Sequence, residues 1–270
     1  MFKELFLTNN ISFKAISLDE NGIVIDDLKK NNVNIAYVTP SHQFPTGAIM
    51  SISRRTELLN WANENPDRYI VEDDYDSEFK YTGRPIPALK ANDINDKVIY
   101  LGSFSKSISP AIRVSYLVLP KALLNIYQRE LPYFICPVPT LNQKILYRFI
   151  KDGYFVKHIN KMRTLYKKKR EFLVNTIKTY SSKILNKEIQ IQGADAGLHM
   201  VIKLNQKINE KLFLNECLEN SLKLYSLEEY NIEEIHREKS YFLLGYANLT
   251  NKEIEEGISL MLKILKKYYT

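Results

Sequence analysis

Val98-Ile99-Tyr100-Leu101-Gly102-Ser103-Phe104-Ser105-Lys106-Ser107, continuing through Ile108-Ser109-Pro110-Ala111-Ile112-Arg113 into Val114-Ser115-Tyr116-Leu117-Val118-Leu119, is the stretch on which the reading of this chain turns. The runs 98–101 and 114–119 are short, β-branched or aromatic, and bounded by Gly or Pro. Both therefore read as buried strands. The loop between them holds Lys106 flanked by Ser105 and Ser107. An amine held between core strands is partly desolvated, which lowers its pKa from about 10.4 and favours attack on a carbonyl. By itself the pattern is weak, because a lysine beside serines in a loop is ordinarily solvated surface.

Upstream, residues 13–18 alternate like a strand and Asp19-Glu20-Asn21-Gly22 reads as a turn. A short helix is predicted over 25–30 and a buried strand over 35–39, ending at Pro40. Ser53 is a good N-cap for a helix over 54–64, whose apolar stripe is Leu58, Leu59 and Ala62. Residues 69–72 form a further strand, stopped by Asp73, Asp74 and Asp76. Strands alternating with helices argue for a mostly parallel sheet, and such sheets gather ligands at the carboxyl ends of their strands. The loops after Val38, Val71 and Leu101 all fall at such ends.

From 141 to about 180 the pattern turns helical, with Ile159, Met162, Leu165, Tyr166, Phe172 and Leu173 on one face. Lys167, Lys168, Lys169 and Arg170 lie opposite and read as a solvated face; the aromatic platforms or recognition helix of a nucleic-acid reader are not seen. The last third reads as a separate α/β unit, with strands over 198–202 and 241–246. A final helix over 252–268 carries Ile254, Ile258, Met261, Leu262 and Leu265 on one face. The expected organisation is a large domain over 1–140, linking helices over 141–180 and a small α/β domain over 181–270.

Composition bounds the function classes. A hydrophobic share of 45% and a charged share of 26% are those of an ordinary globular protein. The net charge of +7 is spread along helices and speaks to solubility before partners. Cys136 and Cys217 are far apart, which argues against a disulfide framework or a thiolate zinc site. With no apolar run near the 18 or so residues of a membrane helix and no signal-peptide pattern, a cytoplasmic location without membrane contact is expected.

Read as plain structure, Asp73 and Asp74 are polar loop residues or part of a metal cluster, for which no His or further acid stands at ligand spacing. His42, His158, His199 and His236 are scattered and read as packing or surface residues. Read as chemistry, Lys106, Asp73, Tyr75 and Arg113 fit pyridoxal phosphate. That cofactor needs a lysine for a Schiff base, an acid to keep its ring nitrogen protonated, a donor to its phenolic oxygen, and hydroxyls with a guanidinium for its phosphate.

The motifs Tyr37-Val38-Thr39-Pro40-Ser41-His42-Gln43-Phe44-Pro45-Thr46-Gly47, Glu72-Asp73-Asp74-Tyr75-Asp76-Ser77-Glu78-Phe79 and the Ser-Phe-Ser-Lys loop with Arg113 resemble the large domain of fold-type I pyridoxal-phosphate enzymes, the class I/II aminotransferases. Their wording is similar to that of the MocR subgroup of GntR-type transcription regulators, in which an aminotransferase-like domain follows a winged helix-turn-helix. Gly153-Tyr154, the run from His158 to Arg163, Ala196-Gly197-Leu198-His199 and the run from Leu244 to Leu249 resemble the family's link into its small domain and that domain itself. The resemblance implies a fold-type I α/β architecture, with Lys106 holding the cofactor as an internal aldimine. It also implies Asp73 on the pyridinium nitrogen, Tyr75 on the phenolic oxygen, and Ser103, Ser105 and Arg113 on the phosphate. Arg237 is the loosely aligned candidate for a substrate carboxylate. Implied partners are a small amine, an amino acid or pyridoxal phosphate itself as effector, and a second copy in a homodimer.

Departures accompany the resemblance. Relatives often carry Pro-Gly and Leu-Gly-Tyr around the arginine, where this chain has Pro110-Ala111 and Val114-Ser115-Tyr116. The resemblance begins partway through the family's large domain. The winged helix, the earlier phosphate-binding Gly loop and the aromatic that stacks on the ring are thus not in the sequence. The expectation is a fragment that binds the cofactor weakly or not at all alone and does not bind DNA alone. An effector-sensing domain is the first reading, a class I/II aminotransferase the second and an inactive remnant the third. Enzymes of this fold usually have Asn before the Pro of the 41–47 turn, where this chain has Phe44.

Overall fold

In the computed structural model the described residues are 2–84, 86–231 and 237–269. Helix α1 (Phe2–Thr8) leads through irregular chain to a hairpin of β1 (Leu18–Asp19) and β2 (Gly22–Ile23). The strand expected over 13–18 is thereby cut to its last residue. The Asn21 amide donates to Asp19 Oδ1 at 2.8 Å and closes the turn, and the paired register is Asp19 with Gly22 and Leu18 with Ile23. Helix α2 (Ile25–Lys30), strand β3 (Ile35–Val38), helix α3 (Ile52–Asn63), strand β4 (Tyr69–Asp74) and strand β5 (Val98–Ser103) follow. The single-turn helix α4 (Phe104–Ser107), strand β6 (Ser115–Val118) and helices α5 (Lys121–Glu130), α6 (Thr140–Lys151) and α7 (Tyr154–Leu185) come next. Strands β7 (Gln190–Gln192) and β8 (His199–Lys203), helix α8 (Glu210–Glu219), strands β9 (Tyr225–Ser226) and β10 (Tyr241–Gly245) and helix α9 (Asn251–Leu265) complete the chain.

Two serines compete to cap α3, and the sequence-based choice of Ser53 is corrected to Ser51. The Ser51 side chain accepts from the Arg54 amide at 3.3 Å, while Ser53 lies inside the helix with its hydroxyl on Glu57 Oε1 at 3.2 Å. The predicted stripe is present, with Leu58 and Ala62 buried and joined by Trp61 and Arg55.

The chain divides into two compact units, Ile16–Gln43 with Ala48–Thr164, and Met1–Ala15 with Phe44–Gly47 and Leu165–Thr270. The first unit holds a four-stranded sheet in the order β3-β4-β5-β6. β3, β4 and β5 are parallel and β6 returns antiparallel to β5. One face carries Ala36, Val38, Ile70 and Val98 and is covered by Leu28 of α2 and Leu58, Trp61 and Ala62 of α3. The expectation of a second buried strand over 114–119 does not hold. β6 is an edge strand whose Tyr116, Leu117 and Val118 are 44%, 46% and 42% exposed. An apolar β-branched run cannot by itself tell an edge strand from a central one.

The second unit holds an antiparallel sheet in the order β7-β8-β10-β9. Met200, Ile202, Phe242 and Leu244 pack there against Phe213 and Cys217 of α8 and Ile177 of α7. All five apolar residues predicted for the last helix, Ile254, Ile258, Met261, Leu262 and Leu265, are buried in this core. A capping box between Thr250 and Glu253 starts α9. Leu165, placed by periodicity on the apolar face of α7, is 42% exposed. Of the basic run, Lys167 and Lys168 are exposed, whereas Lys169 donates to the Ala247 carbonyl at 2.7 Å and Arg170 to the Ala194 carbonyl at 2.7 Å. No helix among the described residues is long and apolar enough to cross a membrane.

Candidate cofactor site

β4 sorts its acids by parity. Successive side chains on a strand point to opposite faces, so Ile70, Glu72 and Asp74 turn to the buried face and Val71 and Asp73 to the half-open one. Glu72 is fully buried and satisfied from its own unit: Leu89 N and Lys90 N donate to its two oxygens at 2.7 and 2.9 Å. Arg55 lies 3.8 Å from it and donates to the carbonyls of Met50, Pro40 and Pro87. Asp74 accepts from Ser77 Oγ and Tyr100 OH, both at 2.7 Å. These acids hold the loops beyond the strand ends together.

Asp73 is different. Its Oδ2 accepts from the Tyr37 phenol of β3. Burial, the largest influence, pushes its carboxyl above the usual range; the Tyr37 hydrogen bond opposes that shift, and the nearby Asp74 and Asp76 add to it. Tyr75 donates its hydroxyl to the His42 carbonyl at 2.7 Å, and His42 Nδ1 lies 3.0 Å from Asp76 Oδ2. Asp76 Oδ1 is buried without a hydrogen-bond partner among the described residues. Burial raises the Asp76 carboxyl, while His42 and, more weakly, the charge of Lys106 oppose the shift. Sequence reasoning set His42 aside as a scattered histidine and did not single out Tyr37 or Asp76. Strand parity together with the β3–β4 register finds Tyr37; His42 and Asp76 needed the loop conformation.

The loop after β5 lies on the neighbouring strand end, since Asp73 pairs with Leu101 and Asp74 with Gly102. Ser103 caps α4, its hydroxyl accepting from the Ser105 amide at 3.2 Å. A Cβ on Gly102 would lie 2.2 Å from the outer end of the Tyr116 ring, so a side chain there would push that ring aside. Lys106 is exposed, and the expectation that buried strands desolvate it fails with β6. Lys106, Arg113 and the Ser105 hydroxyl make no hydrogen bond or ion pair among the described residues. Arg113 takes φ +50° at the end of a turn over Pro110–Ile112. A left-handed non-glycine residue costs about 1–2 kcal/mol, and such strain gathers where a side chain has to be aimed. His158 Nε2 donates to the Ser107 carbonyl at 3.0 Å, tying the lysine-bearing turn to α7. Arg237 belongs to the other unit, where its guanidinium lies 5.3 Å from the centre of the Tyr241 ring and donates to Asn231 Oδ1 at 3.2 Å. Phe44, also of that unit, packs edge-on against Tyr230 at 4.9 Å and His199 at 5.7 Å. His236 lies outside the described residues.

Residues 16–260 match the family described as aminotransferase class I and II. The chain belongs to that family. Its relatives include the HTH-type transcriptional regulator YdeL of Bacillus subtilis, 37% identical over 95% of this chain and 54% of the regulator. The probable rhizopine catabolism regulatory protein MocR of Rhizobium meliloti is 29% identical over 90% of this chain and 48% of its own length. Among solved structures, the multiple substrate aminotransferase from Thermococcus profundus superposes with a TM-score of 0.85 at 26% identity, over 98% of this chain and 66% of that one. The fold is that of the fold-type I aminotransferases. The chain spans about half the length of the curated regulators it matches.

Pyridoxal phosphate is the cofactor of this aminotransferase family, and the donor set here fits it. An amine, a hydroxyl and a guanidinium stand unpartnered among the described residues on the loop that follows β5, and Asp73 lies at the end of the paired strand β4. Tyr75 is the partial exception, because a phenol has one proton and here it rests on the His42 carbonyl.

Proposed function

We propose that this chain is the pyridoxal-phosphate-binding, effector-sensing, aminotransferase-like part of a MocR-type transcription regulator. The observation that carries the reading is that Lys106, Arg113 and the Ser105 hydroxyl are unpartnered among the described residues, on the loop that follows the strand paired with Asp73. Around them the chain keeps 37% identity to a regulator over 95% of its length. Bound there, the cofactor supplies an aldehyde and an electron-withdrawing ring. Lys106 offers the amine for that aldehyde, and Asp73 holds a proton on the ring nitrogen. Ser103, Ser105 and Arg113 take the phosphate through hydroxyl and guanidinium donors. Tyr75 reaches the phenolic oxygen by swinging its hydroxyl proton away from the His42 carbonyl. Arg237 is the proposed partner for an effector carboxylate.

Phe44 favours a sensor over an enzyme, since enzymes of this fold usually place an amide there and this side chain is packed among aromatic rings instead. The ligand sensed is a small amine, an amino acid or the cofactor itself; the complete protein works as a homodimer in the cytoplasm. A class I/II aminotransferase is the second reading, favoured by the TM-score of 0.85 to the Thermococcus profundus enzyme. Incubating the chain with cofactor, an amino donor and a keto acid separates the two. The sensor reading expects no more than one equivalent of new amino acid per chain, and sustained turnover overturns it in favour of the enzyme.

A further inference from the structure

We propose that Tyr37 is a positioning residue for Asp73: its phenol fixes one carboxylate oxygen from the neighbouring strand and keeps the group anionic, leaving the other oxygen to face a cationic ring nitrogen. The inference rests on the reading of Asp73 given above and adds the residue that makes its role physically possible.

The geometry begins in the register. β3 and β4 are parallel with Tyr37 beside Val71, so Tyr37 shares a sheet face with Val71 and Asp73. Asp73 lies one pleat repeat beyond Val71, about 6.6 Å along the strand. A tyrosine side chain spans that distance, and its hydroxyl donates to Asp73 Oδ2. An aliphatic residue at position 37 would leave Asp73 half-buried among like charges without this donor.

The need for a donor follows from the surroundings. The titratable groups acting on Asp73 are Asp74 and Asp76 on its own strand and turn, Tyr75 beside them, and Tyr37 from β3. Asp74 and Asp76 favour the protonated, neutral carboxyl, as does burial; Tyr37 alone in this set favours the anion. On the β5 side the paired residue is Leu101, which brings no charge. Burial and Asp73 together push the Tyr37 phenol far above its ordinary value, so the proton stays on the tyrosine at working pH. A neutral Asp73 could not hold a pyridinium, and a freely rotating one would hold it poorly.

The first readouts need no cofactor. With aspartate carboxyl carbons labelled with 13C in the full chain, the Asp73 resonance is assigned by its loss in Asp73→Asn and followed against pH. Tyr37→Phe keeps the ring and removes the donor. Its Asp73 midpoint should rise by about one pH unit or more, the size expected for losing a hydrogen bond to a charged group. An unchanged midpoint overturns the proposal, because filling space alone would not move it. Should Tyr37→Phe fail to fold, the hydroxyl proton of Tyr37 is observed in the unmodified chain. A slowly exchanging downfield signal that vanishes in Asp73→Asn supports the proposal, and its absence from the unmodified chain overturns it. A midpoint shift in Tyr37→Phe, combined with unaltered cofactor labelling of Lys106 in Asp73→Asn, would leave the Tyr37–Asp73 link standing but sink the ring-nitrogen role on which the proposal rests. Failure of the two ideas is thereby told apart.

Discussion

Glu72 and Asp73 are chain neighbours on opposite faces of one strand, and they have opposite circumstances. Glu72 turns into the covered face, where two backbone amides fill its oxygens and Arg55 lies alongside. Asp73 turns to the open face with Tyr37 on one oxygen. Both carboxyls are raised by burial, so the direction of the shift does not distinguish them. The difference lies in who supplies the partners. A carboxylate completed by its own fold holds loops together, whereas one left with a free oxygen is available to a ligand.

Substitutions on the two faces should therefore part company. The largest effect belongs to the covered face itself: Trp61→Ala empties the space between α3 and the sheet and should cost about 3–5 kcal/mol in urea unfolding. A loss under about 1 kcal/mol would mean that this face is less tightly packed than its burial indicates.

Glu72→Gln comes next. It replaces an acceptor facing two amide donors with a group that presents N–H to one of them, and should destabilise by about 1–3 kcal/mol. The same measurement on Asp73→Asn should show the reverse sign, a gain of about 1 kcal/mol at neutral pH, because a half-buried charge is removed from a binding face. The pH dependence follows from the raised carboxyl. A folded-state pKa above the unfolded one gives stability that is present below the unfolded value of about 3.9 and is lost as pH rises through the folded value. The advantage of Asp73→Asn over the unmodified chain should hence shrink as pH falls from neutral through the raised folded-state value, and level off below about 3.9. Two losses of equal size at neutral pH would erase the distinction between the faces.

The smallest effect sharpens it. Tyr75→Phe removes a hydroxyl whose acceptor is a backbone carbonyl, so stability should fall by about 0.5–1.5 kcal/mol. Cofactor labelling should fall with it if the phenol also serves the ligand, and unchanged labelling would confine Tyr75 to holding the backbone at His42.

Much of this was legible from residue order. Helix α2 has the predicted bounds, the α9 stripe is buried as its spacing requires, and the parallel run of β3, β4 and β5 follows from strand–helix alternation. What could not be read needed neighbours distant in sequence. The run over 114–119 has the composition of a core strand, yet sits at a sheet edge because nothing local encodes its place in the strand order. The choice between Ser51 and Ser53 as cap depends on where the preceding loop delivers the chain. Tyr37 became visible only with the β3–β4 register, which couples residues 36 positions apart.

The central proposal is that Lys106 takes pyridoxal phosphate at the ends of β4 and β5, and chemical trapping tests it most directly. The full chain is incubated with the cofactor at millimolar concentration, reduced with borohydride and mapped by peptide mass spectrometry. The account predicts a label concentrated at Lys106, weakened in Asp73→Asn and redistributed in Lys106→Ala. A label spread over exposed lysines such as Lys167 and Lys168, with Lys106 no more modified than they are, would contradict it.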